Sequence, residues 1–149
     1  MAGGYAGWAG SLPAEEVRAR LELALRQADE LPTAITSASV PGLFSTKLRA
    51  EQLEELAAIM SEVRPAGMRT MARAFAEADL QDVLASIALP ALLLYGDADQ
   101  RASRAVWEPL HAKIPTSMLV LLPGSGHDLA LEAPEAFNAE VRRFIRSFS

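Results

Sequence analysis

No cysteine occurs among the 149 residues. Disulfides and thiolate metal sites are therefore excluded, and the composition suits a reducing cytosol. A dominant charge is lacking as well. Lys and Arg number 14 against 19 Asp and Glu, with the signs mixed and no basic stripe to meet a nucleic acid. Long apolar runs are missing too: none approaches the ~20 residues a membrane helix needs. The start, MAGGYAGWAGSLPAEE, has neither the basic nor the apolar region of a secretory leader. These absences lead to the expectation of a soluble, cytoplasmic protein with no membrane and no nucleic-acid partner. Histidine is scarce, with only His111 and His127 in the chain. His111 lies on an apolar-striped stretch before KIP and reads as a surface residue.

What is present is the balance of a globular protein, 50% hydrophobic and 22% charged. One domain, or one with a small appendage, is expected at this length. Two textures divide the chain near residue 88. Over 1–88 the pattern is helical. Pro13, followed by Glu15 and Glu16, marks a helix start, and Val17, Leu21, Ala24, Leu25 and Ala28 recur at helical spacing. The stretch ELPTAITSASVPGLFS interrupts with prolines, Gly42 and hydroxyl residues, and reads as a loop. Leu53, Leu56, Ala57, Met60 and Val63 form a second stripe, ending before Pro65. Met68, Met71, Ala72 and Phe75 form a third. DLQDVLASI predicts a short fourth helix with Asp79 as its N-cap.

Over 89–149 strands alternate with helices. ALLLYG, residues 91 to 96, is an apolar run stopped by glycine, as in a strand buried on both faces. A helix follows, with Val106, Leu110 and Ile114 in register. SMLVLLPG predicts a second buried strand. The last helix starts near Pro134 and carries Phe137, Val141, Phe144, Ile145 and Phe148 on one face. The fold class is thus α/β, and a strand–helix–strand passage of this length places the two strands parallel and adjacent.

Each predicted strand ends at a glycine-containing turn that bears a chemically capable residue. YGDADQRAS offers Asp97 and Asp99; GSGHD offers His127, 28 residues beyond Asp99. Sites in open parallel sheets form outside the carboxyl ends of the strands. A carboxylate held on one ring nitrogen of a histidine fixes its tautomer and frees the other to take a proton. Taken singly, GDAD is also an ordinary solvated turn, and His127 could simply satisfy a loop carbonyl. It is their joint occurrence, in order at successive strand ends, that points to chemistry.

LPALLLYGDADQRAS followed by IPTSMLVLLPGSGHDLALEAPEAFNAEVRRFI resembles the C-terminal end of an α/β-hydrolase, in the branch of small-molecule esterases, lactonases, C–C hydrolases and cofactor-free haloperoxidases. The resemblance implies Asp99, three residues past the strand-ending glycine, as the catalytic acid in preference to Asp97. It implies His127 as the base, and a helical cap in the slot of residues 5 to about 88, with YAGWAGSLPAEEV similar to the start of that cap. Ser103 stands where many relatives carry proline. No cofactor and no metal are implied. Trp8, Phe44, Met60, Met68 and Met71 could line an acyl or ring pocket or, as methionines usually do, fill a core. Glu132 could cap the last helix, although an exposed acid is the simpler reading.

The family order is serine, then acid, then histidine, with the serine in G-x-S-x-G between a strand and a helix. No such pentapeptide is present. Ser11 follows a glycine with no strand before it, Ser125 is two residues from the histidine, and Ser37, Ser39 and Ser45 sit in the predicted loop. The resemblance therefore implies a small-molecule ester or lactone hydrolase portion that carries acid and base and lacks the nucleophile half, inactive alone. A non-catalytic binding or interaction module, or a truncated gene product on a hydrolase scaffold, is the alternative. With six earlier strands of the family plan outside the chain, ALLLYG would present an unpaired edge and uncovered apolar faces. The expected partners are a second copy or a complementary N-terminal hydrolase half. A dimer is expected by size-exclusion chromatography with light scattering; a strict monomer across micromolar concentrations counts against it.

Overall fold

A computed structural model of the chain describes residues 1–30, 42, 44 and 48–148. The predicted loop over residues 30–45, with Ser37, Ser39 and Ser45, lies outside the described residues except for Glu30, Gly42 and Phe44. Two compact units are present. One holds the described residues from Tyr5 to Glu30 together with Arg49–Asp82; the other holds Met1–Gly4, Gly42, Phe44, Leu48 and the described residues from Val83 to Phe148.

The first unit is the helical cap. Helix α1 (Ala14–Glu30) follows Pro13 and places Glu15 and Glu16 in its first turn, where acids suit the positive end of the dipole. Its predicted stripe is the sheltered side, with Ala28 buried. Helix α2 (Ala50–Ser61) ends before Pro65, which opens helix α3 (Pro65–Glu77) at a position where proline's missing N–H costs nothing. Helix α3 packs on α1, and an Arg69–Asp29 ion pair of 2.8 Å joins them. The buried residues of α3 are Ala72 and Ala76, whereas Met71 and Phe75 stand largely exposed, so the third stripe is only partly core. Trp8 stacks on Phe75 at 5.8 Å between ring centres. The predicted fourth helix is instead a 3-10 turn, Gln81–Ser86; Asp79 Oδ1 does accept the Gln81 N–H, at 3.0 Å.

In the second unit, β1 (Ala91–Gly96) pairs in parallel with β2 (Ser117–Leu122), Ala91 opposite Ser117 and Gly96 opposite Leu122. Helix α4 (Arg104–Lys113) connects them, burying Val106 and Leu110, with Ile114 just beyond. Ser103 holds its N-cap at φ −66°, the value a proline ring would impose, so serine replaces proline there without a change of path. A short helix, α5 (Leu129–Glu132), leads into α6 (Pro134–Arg146). Leu92, Leu94, Leu122 and Leu129 form a core cluster against which Val120, Phe137, Val141 and Phe144 pack. Tyr95, fully buried, meets Trp107 of α4 at 6.3 Å.

Three expectations are corrected. Strand β1 is buried on both faces, but β2 is not: Met118 is 44% and Leu121 39% exposed. An outermost strand has one neighbour, and its side chains lie partly beyond the reach of the covering helices. Ile145, in the last turn of α6, and Phe148, beyond its end, are also exposed and do not join Phe137, Val141 and Phe144 on the core cluster; Phe148 rests edge-on against Phe144, 5.0 Å between centres. Lastly, the outer edge of β1 is not bare. Ala2 bridges Leu94 in parallel, the Leu94 N–H donates to Met1 O at 2.8 Å, the Gly3 N–H donates to Leu94 O at 3.0 Å, and the Met1 ammonium donates to Leu92 O at 2.6 Å.

Glycine at 96 is a steric requirement. A Cβ there would lie 1.9 Å from Ser125 O and 2.5 Å from Gly126 O, both main-chain atoms. At Gly67, in α3, a Cβ meets nothing within 4 Å. Gly96→Ala should therefore destabilise by at least about 2 kcal/mol, while Gly67→Ala should stabilise its helix by about 0.5–1 kcal/mol. Urea denaturation of both variants checks the opposite signs.

Candidate active site

The in-register end of the two strands, Gly96 beside Leu122, delivers two turns to one edge of the sheet. They interlock. The Asp97 N–H donates to Leu122 O at 3.2 Å, and the Ala98 N–H donates to Ser125 O at 3.1 Å. Asp99 then turns inward. Its side chain is 0% exposed, and Oδ1 accepts the N–H groups of Arg101 (2.7 Å) and Ala102 (2.9 Å). Its other oxygen, Oδ2, lies 2.9 Å from His127 Nδ1; the His127 side chain is 20% exposed. The structure thus brings Asp99 and His127 together at adjacent strand ends.

Opposing effects act on the Asp99 carboxyl. Burial is the largest and pushes its pKa up. Hydrogen bonds from His127 and the Ala102 N–H, the attraction of the imidazole and the bond from the Arg101 N–H together outweigh burial, so the pKa is held below the usual aspartate value. An ionised Asp99 has no proton to give. The shared hydrogen therefore sits on Nδ1, which in the neutral form of the ring leaves the lone pair on Nε2.

Other residues weighed from the sequence lie as follows. Asp97 is separate from the imidazole bond: its Oδ1 accepts the Gly124 N–H at 2.6 Å. Glu132 is not the exposed acid expected; half-buried, it accepts the Gly126 N–H at 3.1 Å. His111 is exposed, with Nδ1 2.8 Å from Ser117 Oγ. Ser11 Oγ accepts the Ala6 N–H at 2.8 Å, and Ser125 is buried in the turn before the histidine. Among the described residues no three His, Asp or Glu side chains gather in a way that could hold a metal. Nor is any helix among them long and apolar enough to cross a membrane.

One neighbour of the imidazole was not legible in the sequence. Gly3, at φ +56°, stands so close that a Cβ on it would lie 3.2 Å from both Nδ1 and Cε1 of His127 and 2.9 Å from His127 O. Its only signal is the glycine pair in MAGGY, and nothing local says what that pair approaches.

The depressed pKa of Asp99 has a signed consequence. A carboxyl whose folded pKa lies below its unfolded value, about 3.9, adds stability that is full above that value and is lost as pH falls through the folded pKa. The stability gap between the native chain and Asp99→Asn should therefore be widest near neutral pH and narrow below about pH 4. Urea denaturation between pH 7 and 3 checks this; a gap independent of pH would contradict it.

No family model matches the chain. It is 39% identical over 69 residues to the pimeloyl-[acyl-carrier protein] methyl ester esterase of Yersinia enterocolitica, a match covering 46% of this chain and 27% of that protein. Among solved structures, a thermophilic esterase from Thermogutta terrifontis superposes with a TM-score of 0.74 at 26% identity, covering 89% of this chain and 50% of its own. The enol-lactonase from Burkholderia xenovorans superposes at 0.64 with 24% identity, covering 89% and 50%. The chain spans about half the length of these solved structures, and less of the curated relatives it matches first. With a helical cap, a parallel strand pair and a buried acid–histidine contact at the strand ends, the chain has an α/β-hydrolase-like esterase/lactonase fold with a partial core.

Proposed function

We propose that the chain is the acid- and base-bearing portion of a serine-type α/β-hydrolase that acts on small esters or lactones. The observation that carries this reading is the 2.9 Å contact between Asp99 Oδ2 and His127 Nδ1, made where two paired parallel strands end. In the proposed reaction His127 Nε2 removes the proton of a serine hydroxyl as that oxygen attacks the ester carbonyl. The imidazolium, stabilised by ionised Asp99, then returns the proton to the leaving alcohol. Water repeats the sequence on the acyl-enzyme, with His127 again as base.

The serine belongs to a polypeptide segment outside this chain. Three considerations support that placement. No G-x-S-x-G occurs in the sequence; the chain spans about half the length of the solved structures it matches; and beside β1 lies a cavity of about 510 Å³ lined by apolar residues including Leu92, Leu94, Phe137 and Phe144. The occupant proposed for that edge is a hydrolase half that displaces Met1–Gly3 from β1, pairs there in parallel and brings the nucleophile.

The chain alone should show no turnover of p-nitrophenyl acetate or butyrate above solvent background. Mixed or fused with a G-x-S-x-G half it should gain turnover, and Asp99→Asn in that complex should lower kcat by about 10⁴. Robust turnover by the chain alone that disappears in His127→Ala would refute the external nucleophile. A chain that never gains activity yet binds small molecules tightly would favour a binding module.

A further inference from the structure

We propose that Asp97 and Glu132 are positioning residues that hold the imidazole of His127 against Asp99. The inference deepens the reading of His127 as a base and rests on it. His127 follows a turn with two glycines, Gly124 at φ +68° and Gly126, around buried Ser125. Two glycines in three residues leave a backbone with many conformations, and a ring hung from it would be placed loosely. Here each of the three residues is tied to a different point. The Gly124 N–H donates to Asp97 Oδ1 at 2.6 Å, Ser125 O accepts the Ala98 N–H at 3.1 Å, and the Gly126 N–H donates to Glu132 Oε1 at 3.1 Å.

The two carboxylates come from opposite sides, Asp97 from the turn leaving β1 and Glu132 from the end of α5. Bonds from N–H groups to carboxylate acceptors are about twice as strong as bonds between neutral groups. Asp97 is exposed, so its bond adds little to global stability. What it restrains is the path of residues 124–126, and hence the direction in which the next side chain leaves. Asp99 is fixed in the same manner on its own side, by the Arg101 and Ala102 N–H groups. Asp99, and the turn that carries His127, are thus held by main-chain hydrogen bonds, so that neither side of the 2.9 Å contact has to be ordered when a proton moves.

The test is nuclear magnetic resonance of the full chain with nitrogen-labelled histidine, in which His127→Gln assigns one of only two rings. The native ring should carry its proton on Nδ1 and exchange it slowly. Asp97→Ala and Glu132→Ala should each speed that exchange about tenfold or more and populate the other tautomer. Asp97→Asn and Glu132→Gln, which keep an acceptor oxygen, should restore the native signal. Where an alanine variant does not fold, serine, too short to reach the N–H, takes its place. Alanine variants with native exchange and tautomer would overturn the proposal, as would Asn and Gln variants that lose the signal as fully as alanine, since charge and not anchoring would then act. A native ring protonated on Nε2 would overturn both this proposal and the reading of Asp99 and His127 beneath it; native Nδ1 protonation kept in every variant overturns the anchoring alone.

Discussion

The close packing of two strand-end turns is the constraint from which the rest of the site follows. Parallel strands in register stop at the same level, so the chain leaving β1 and the chain leaving β2 must share a small volume. They can do so only because residue 96 has no side chain: the carbonyls of Ser125 and Gly126 occupy the space where one would stand. Once the turns interlock, the inward direction of Asp99 and the direction of His127 are no longer independent. A single hydrogen bond then joins residues far apart in the chain.

That bond survives burial because its surroundings are polar in the right sense. A carboxylate with no exposure is costly to hold ionised, and a neutral acid in its place would give up the charge-assisted strength of the contact. Two backbone N–H groups and the imidazole offset the cost. The energetic division is clear: one oxygen of Asp99 is committed to the backbone, the other to the histidine. The backbone bonds to Oδ1 leave Oδ2 no rotational freedom to spend elsewhere.

Much of this was legible in the sequence. The apolar run between Pro90 and a stopping glycine located β1, the helical stripe Val106–Leu110–Ile114 located α4, and the spacing of Asp99 from His127 matched one strand–helix–strand passage. These are signals of local pattern, and local pattern sets local structure. The rest depends on contacts between distant segments. Whether Leu121 is covered depends on how far a helix extends, which its own spacing does not state. Glu132 reads as any surface acid until the fold carries Gly126 to it, and Asp97 and Asp99 differ in role because a turn points one at a backbone N–H and the other at a ring.

Gly3 has an effect out of proportion to its size. It flanks the Nδ1–Cε1 side of His127 with main chain, pinned in turn by its own bond to Leu94 O. A wall made of side chain can rotate away to admit a visitor; one made of peptide, stitched to a strand, has no such hinge. The Nδ1–Cε1 side of the ring is therefore closed by main chain, and a molecule meeting this imidazole has to come from elsewhere.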